Sequence, residues 1–395
     1  MDKGGMGGVD FDVIIAGAGA GGAAAAYYLT RAGLKTLVVD RAQLPRYKAC
    51  GGAIPRTALD RFPFATEGVI RAEPDEVRFT FPGRLPVDMA LPAQPVVMVM
   101  RQEFDAFLLA QSGADVLDGT AVTSVVDGET EVRVEAGGQV ITANYLVGAD
   151  GAVSTVARKL GLRRKRRLGG TLEAEVPLED APMWAEHANR AFFSFGVVPW
   201  GYAWVFPKGD HLSVGIGRFR PGKADLRQAL AAEMARLGIR LDGIRIHGHP
   251  LPCYQAPLWP FWSGSAQERL STRRCLLVGD AAGLVDPFIG EGIRYAMASA
   301  RLAAEAITRG DLSGYERAIW QGIGLELATA GMLADLYYRL PGLCFEIGVR
   351  NPETMHQLVG VMAERFRYQG IGRRLVAATA RWLLRGMPSQ SEGVR

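Results

Sequence analysis

The chain has 395 residues, of which 48% are hydrophobic and 22% charged, with a formal net charge of +4. This composition excludes extended disorder, and the length exceeds what one hydrophobic core usually supports, so we expect two interlocked domains. Four cysteines without a CxxC pair predict no metal site and no disulfide framework, and indicate a cytoplasmic protein. No apolar run reaches the roughly 18 residues that span a bilayer, and we expect neither export nor membrane insertion.

A glycine-rich turn follows the first predicted strand. Residues 10–16 read DFDVIIA, Gly17, Gly19 and Gly22 follow, and residues 23–33 have a helical pattern. A second strand, residues 35–40, ends in Asp40. This order is typical of a dinucleotide-binding βαβ unit, in which the helix N-terminus faces the pyrophosphate and the acid binds a ribose hydroxyl. An acid at this position favours FAD or NAD over a cofactor with a 2′-phosphate.

Three later segments separate FAD from NAD. Arg101-Gln102-Glu103-Phe104-Asp105 opens a predicted helix, residues 145–154 contain the turn VGADGAVS, and residues 273–307 contain a Gly-Asp turn followed by GEGI and an alanine-rich helix. All three resemble elements of the p-hydroxybenzoate hydroxylase type of flavoprotein. The resemblance implies FAD, with the arginine touching the cofactor, Asp280 bound to its ribityl chain and the last helix directed at its isoalloxazine ring.

The predicted cofactor contacts form one set. They are Gly17, Gly19, Ala20, Gly22, Asp40, Arg41, Cys50, Gly51, Arg101, Val122, Asp150, Gly151, Asp280, Gly290, Gly292 and Ile293.

Two further motifs narrow the resemblance. Residues 46–52 read RYKACGG and residues 199–217 read PWGYAWVFPKGDHLSVGIG. They resemble the Lys-x-Cys-Gly-Gly and Tyr-x-Trp-x-Phe-Pro-Lys elements of the geranylgeranyl reductase family, and with the FAD segments the resemblance spans about residues 11–310. It implies an enzyme that saturates C=C bonds of a prenyl group on a lipid, a diphosphate, a quinone or a pigment. It also implies NADPH or ferredoxin as the external electron donor, the latter as a transient protein partner.

Four side chains in these motifs are candidates for the chemistry. Cys50 is predicted near the flavin, where a thiol could donate a proton, tune the flavin or serve as a small packing group. Tyr202, Trp204 and Phe206 alternate along one strand and therefore share a face, which could line a substrate tunnel or form a plain core. Trp259, Phe261 and Trp262 add to the apolar side chains available for a prenyl ligand.

The fold class predicted is α/β, or α+β overall. A Rossmann-type FAD-binding domain is assembled from residues 10–70, 96–165 and 270–315. A mixed or antiparallel β-sheet substrate domain takes residues 71–95 and 166–269, including predicted strands at 76–82, 190–198, 202–209 and 211–219. Residues 316–395 form a helical C-terminal region.

Two basic segments bear on partners. Six basic residues among residues 159–167 are expected to form a solvated face rather than a phosphate or lipid site, and no nucleic-acid partner is expected. Six arginines among residues 365–385 alternate with apolar residues. This segment either contacts the inner face of the membrane, as a peripheral protein would, or packs on the body of the protein.

Three other activities are compatible with parts of the pattern. An aromatic or quinone monooxygenase shares the FAD elements, but the Cys-Gly-Gly segment argues against it. A flavin halogenase carries a Trp-x-Trp-x-Ile-Pro motif that this sequence only approximates, with Tyr202 and Phe206 as departures. A lipid-binding carrier with a structural FAD is the alternative outside enzymology.

Overall fold

The computed structural model describes residues 9–163, 168–255 and 269–384. Its strands are β1 Phe11–Ala16, β2 Thr36–Val39, β3 Ala53–Pro55, β4 Ile70–Ala72, β5 Glu76–Thr80, β6 Val87–Ala90, β7 Val96–Val99, β8 Asp115–Leu117, β9 Val122–Asp127, β10 Val132–Ala136, β11 Gln139–Gly148, β12 Gly169–Pro177, β13 Arg190–Phe195, β14 Gly201–Pro207, β15 His211–Arg218, β16 His247–Leu251 and β17 Cys275–Leu277. Its α-helices are α1 Ala20–Arg31, α2 Arg56–Leu59, α3 Arg101–Ala110, α4 Thr155–Lys159, α5 Leu226–Arg236, α6 Gly279–Ala282, α7 Ile293–Thr308, α8 Tyr315–Ile319, α9 Leu325–Arg339, α10 Pro341–Cys344, α11 Pro352–Met362 and α12 Ile371–Leu384.

The first sheet is the predicted nucleotide-binding sheet. Its order is β8-β2-β1-β11-β10-β9, and β17 pairs in parallel with the second half of β11. β1 lies in the centre between two parallel neighbours, and Val13, Ile14 and Ile15 are fully buried, as expected for a central strand of this kind. A run of four alanines, residues 23–26, lets α1 pack closely between this sheet and α7.

The second sheet is largely antiparallel and has the order β16-β12-β15-β14-β13-β5-β6, with a parallel pair only between β13 and β5. The four strands predicted for this region are β5, β13, β14 and β15. Helix α5 packs on one face of the sheet, and the other face is turned toward the first sheet. A small sheet, β3-β7-β4, lies between them.

The C-terminal helices are joined to the body through buried polar contacts. The Tyr368 hydroxyl donates to Asp286, at 2.9 Å, and the Arg294 guanidinium reaches the Val361 carbonyl at 3.5 Å. Both partners on the body belong to the segment that precedes or opens α7. The helical tail therefore packs against the cofactor-binding segment of the sequence.

The fold class predicted from the sequence is confirmed by this architecture. The division into domains stays a prediction. Several predicted features lie outside the described residues, namely residues 164–167 of the basic run, Trp259, Phe261, Trp262 and Arg385. Within the described part of the chain, no helix is both long and apolar enough to cross a bilayer.

Candidate flavin and substrate site

One cleft lies between the first sheet and the second, and the space within it and at its solvent-open mouth amounts to about 1350 Å³. It collects segments that are far apart in the sequence. Of the residues predicted to bind cofactor or substrate, it is lined by Gly19, Ala20, Cys50, Gly51, Arg101, Gly151, Tyr202, Trp204, Phe206, Asp280, Gly290, Gly292 and Ile293.

The glycine turn at one end of the cleft is dictated by sterics. Gly17 has a φ of +102°, and a Cβ on Gly22 would lie 1.8 Å from the Gly17 carbonyl oxygen. Gly19 precedes α1, and no side chain in the described part of the chain caps that helix. The N–H groups of the first helical turn are therefore available to an anion.

Two arginines stand over this helix N-terminus. A Cβ on Gly19 would lie 3.4 Å from Arg46 Nη2 and 3.8 Å from Arg101 Nη2. Arg101 makes a buried two-pronged pair with Asp105, at 2.8 and 2.9 Å. Burial alone would lower the pKa of Arg101, but Asp105 and the Cys50 thiol outweigh it, and its pKa lies above the ordinary value.

The environment of Arg46 indicates whether a dinucleotide fits beside the N-terminus of α1. Its Nη1 is buried and has no hydrogen-bond partner among the described residues, although Asp105 forms an ion pair with it at 3.5 Å. An unused buried donor beside a helix N-terminus and a glycine cradle is what a pyrophosphate would satisfy. The residues present therefore fit the phosphate portion of FAD.

Six of the predicted cofactor contacts do not line the cleft. Gly17 and Gly22 lie beneath it. Asp40 accepts from the Ala18 N–H at 2.7 Å, which holds the turn against β2, and Asp150 accepts from Thr155 N–H at 2.6 Å and caps α4. Arg41 is exposed. Val122 stands apart from these, because it lies in β9, paired with Ala136 on the far side of the sheet.

The Cys50 loop, residues 47–52, lines another part of the cleft. Cys50 is half-buried, and its sulfur accepts the Gly52 N–H at 3.4 Å. A Cβ on Gly51 would lie 2.9 Å from the Phe206 ring, and one on Gly52 would lie 2.1 Å from the Val99 carbonyl oxygen. Gly51 is needed because the loop packs on the aromatic strand, and Gly52 is needed because the loop packs on β7.

The aromatic strand forms an apolar wall opposite the loop. Tyr202, Trp204 and Phe206 share one face of β14, as the alternation predicted, and each is at least nine-tenths buried. Gly215 on β15 is paired with Trp204, and a Cβ there would lie 2.1 Å from the indole. The indole therefore lies flat across the sheet, which fits a slot for an elongated apolar group.

Comparison with known proteins agrees with this geometry. A family model described as an FAD binding domain matches residues 10–309. The geranylgeranyl diphosphate reductase of Nicotiana tabacum is 31% identical over 76% of this chain and 67% of its own length. The menaquinone reductase of Mycolicibacterium smegmatis is 33% identical, with 78% of both chains covered. The chain belongs to the geranylgeranyl reductase-like FAD-dependent oxidoreductases.

A solved structure shows the same fold. It is described as geranylgeranyl bacteriochlorophyll reductase-like, from Thermoplasma acidophilum, and it matches with a TM-score of 0.73 at 21% identity, over 94% of this chain and 96% of that one. The fold, the FAD cofactor and the reductase-like family predicted from the sequence are confirmed by these matches. The roles of individual residues stay predictions.

In this flavoenzyme a cluster of three polar side chains, Lys48, His249 and Asp280, also lines the cleft. Asp280 is paired with Lys48 at 3.4 Å and with His249 at 3.7 Å. Burial would raise the pKa of Asp280, but the Lys48 ammonium and the neighbouring His249 hold it below the ordinary value, so the carboxylate is ionised. Burial lowers the pKa of His249. An ionised acceptor of this kind suits a ribityl hydroxyl donor.

Helix α7 begins at the cleft, as predicted. Its N-cap is Gly292, and Glu291 accepts from the Arg294 N–H at 2.8 Å and pairs with the Arg294 guanidinium at 3.0 Å. Burial raises the pKa of Glu291 to about 7. The positive end of the helix dipole would stabilise negative charge on a reduced flavin ring.

Among the polar residues at or beside this cleft that sequence reasoning missed are Arg46, Lys48, Glu173, Lys208 and Glu291. Signals existed for four of them, because Arg46 and Lys48 belong to the Cys-Gly-Gly segment, Lys208 ends the Tyr-x-Trp-x-Phe-Pro-Lys motif and Glu291 stands between two glycines. Glu173 had none, since it looks like one of two glutamates in an alternating strand.

Proposed function

We propose that this flavoenzyme saturates C=C bonds of a prenyl group carried by a lipid, a diphosphate, a quinone or a pigment, using electrons from NADPH or ferredoxin. The observation that carries the proposal is the apolar wall of Tyr202, Trp204 and Phe206 opposite the Cys50 loop, in the same cleft as the glycine turn. The names of the relatives, geranylgeranyl diphosphate reductase and menaquinone reductase, support it.

The residues divide the work. Bound FAD, once reduced by the electron donor, would supply a hydride equivalent. The N-terminus of α1 and Arg46 hold its phosphates, and Asp280 holds its polar chain. The aromatic wall aligns the prenyl chain and excludes water, which an isolated alkene requires because no carbonyl polarises it. Cys50, or a water beside it, donates the proton to the second carbon.

An anaerobic single-turnover experiment tests the reaction. The purified protein is reduced without oxygen and mixed with a geranylgeranyl lipid or with a menaquinone, and the product is analysed by mass spectrometry. We expect a gain of one H₂ per saturated bond, located in the prenyl chain by fragmentation after any quinol ring has been reoxidised to the quinone. A requirement for oxygen would instead indicate a monooxygenase or halogenase, and a flavin that never turns over would indicate a carrier.

A matched pair of variants tests whether the aromatic wall is needed for the reaction. Phe206→Leu changes the face of the second sheet that lines the cleft, whereas Phe192→Leu changes the opposite face, where the ring packs in a separate core. We expect the first variant to lose turnover of the prenyl lipid while it retains FAD. The second should lose stability and retain turnover in the folded fraction.

The electron donor and the membrane contact are separate parts of the proposal. Stopped-flow reduction by NADPH and by reduced ferredoxin identifies the donor. Val376, Leu383 and Leu384 on α12 are exposed beside arginines, and this supports contact with an anionic membrane surface. Cosedimentation with anionic and with neutral vesicles tests the contact, which should appear only with the former.

A further inference from the structure

The Cys50 loop has little structure of its own. Residues 47–52 form neither helix nor strand. Within this stretch one hydrogen bond, from the Gly52 N–H to the Cys50 sulfur, closes the turn. The position of the thiol therefore depends on what the loop is attached to.

Two buried ionisable residues of the second sheet attach it, one on each side of the thiol. On the N-terminal side, the Tyr47 hydroxyl donates to Glu173 on β12. On the C-terminal side, Lys208 donates to the Gly51 carbonyl at 2.6 Å and to the Val99 carbonyl at 2.9 Å. Cys50 lies between these two attachments.

The same two residues also hold the aromatic wall. Glu173 accepts from the Ser213 hydroxyl at 3.0 Å, and that hydroxyl accepts from the Trp204 indole N–H at 3.3 Å. Lys208 comes directly after β14, the strand that carries Trp204. Each attachment thus links the loop to the wall that it faces.

Both residues are buried at a cost. Glu173 and Lys208 are each 1% exposed. Burial raises the pKa of Glu173 to about 7 and lowers the pKa of Lys208 to about 8. Apolar residues of similar size could fill these positions without that cost, so packing alone does not account for them.

We propose that Glu173 and Lys208 are positioning residues that clamp the Cys50 loop to the second sheet and thereby fix the gap between the thiol and the aromatic wall. The clamp acts on the loop in any substrate complex, so it does not depend on which prenyl compound is reduced.

Hydrogen–deuterium exchange of the FAD-loaded protein tests the clamp. The variants are Lys208→Met, which removes both hydrogen bonds at nearly constant volume, and Tyr47→Phe, which removes one hydroxyl. We expect the peptide containing residues 46–53 to exchange about tenfold faster in Lys208→Met and a few-fold faster in Tyr47→Phe. Glu173→Gln retains an acceptor for Tyr47 and should restore most of the protection that Glu173→Leu loses.

Two controls separate loop release from general destabilisation. Ser194→Ala removes a buried hydroxyl of the same sheet that accepts from Thr80 at 2.9 Å, and it should leave the loop peptide unchanged. The peptide from β13 should be unchanged in the clamp variants.

A second readout follows the thiol itself. Tyr47→Phe leaves the charge of Lys208 beside Cys50, so alkylation by iodoacetamide should rise several-fold at Cys50 and remain constant at Cys344, which is also half-buried. If Lys208→Met does not fold, Tyr47→Phe decides alone. The proposal would be overturned if Tyr47→Phe changed neither the exchange of the loop peptide nor the alkylation of Cys50. It would also be overturned if exchange at β13 and alkylation at Cys344 increased by the same factors.

Discussion

Two parts of the cleft are built by different means. We call the part around the glycine turn and the N-terminus of α1 the phosphate end, and the part around residues 47–52 the Cys50 end. At the phosphate end, glycines, a helix N-terminus and the backbone make the site, and side chains add two arginines. At the Cys50 end, backbone geometry supplies only two glycines, and two buried side chains, Glu173 on β12 and Lys208 directly after β14, fix the loop. The first kind of site depends on local spacing, and the second depends on contacts between residues more than a hundred positions apart.

The largest expected effect breaks the phosphate end. Gly22→Val places side-chain atoms where a Cβ alone would lie 1.8 Å from the Gly17 carbonyl. We expect a loss of about 3 kcal/mol or more in the free energy of unfolding, together with loss of bound FAD. Thermal denaturation and the flavin absorbance of the purified protein measure both. Gly68→Ala is the control, because a Cβ there meets nothing within 4 Å; equal behaviour of the two variants would contradict the steric argument.

The next effect sharpens the contrast at the Cys50 end. Burial raises the pKa of Glu173 from 4.5 to about 7, so between these values the folded protein binds a proton that the unfolded chain does not. Its contribution to stability is therefore complete below about pH 4.5 and is lost as the pH rises through 7. In Glu173→Gln this loss is absent, and the variant should gain ~3 kcal/mol relative to wild type across that range.

Denaturant titrations of both proteins at several pH values measure this difference. A constant difference in unfolding free energy across the range would show that Glu173 titrates normally. The same titrations on Ser194→Ala provide a pH-independent reference for a buried polar group of this sheet.

A smaller effect concerns the arginines over α1. Arg46→Gln removes the buried guanidinium donor that has no hydrogen-bond partner within the described chain. We expect FAD affinity to fall by ~2 kcal/mol, since hydrogen bonds to charged groups are worth this much. Fluorescence titration of the apoprotein with FAD measures it. An unchanged affinity would mean that the cofactor does not reach this donor.

The smallest expected effect is that of a substitution at Val122 on the affinity for FAD. Val122 was predicted as a cofactor contact, but it lies in β9 and does not line the cleft. Val122→Ala should therefore leave FAD affinity within about twofold of wild type, the range expected for substitutions away from a site. A clear loss of FAD affinity in this variant would mean that FAD binds outside the cleft described above.

The difference between the phosphate end and the Cys50 end explains which features of the site could be predicted from the sequence and which could not. Gly17, Gly19 and Gly22 are spaced by steric rules, so their turn and the helix behind it were predictable, and the alternation of Tyr202, Trp204 and Phe206 predicted their shared face. The attachment of Lys208 to the Gly51 carbonyl was not predictable, because no local pattern states which distant carbonyl a lysine reaches. Glu173 was invisible for the same reason.

The flat indole over Gly215 has a consequence for engineering. Trp204 occupies the space that a side chain on the neighbouring strand would take, so the two positions cannot vary independently. Replacing the indole by a smaller group would open a hollow beneath it, and enlarging Gly215 would require that hollow first. A larger residue at position 215 is therefore expected to be tolerated only in a protein in which Trp204 has already been replaced by a smaller residue.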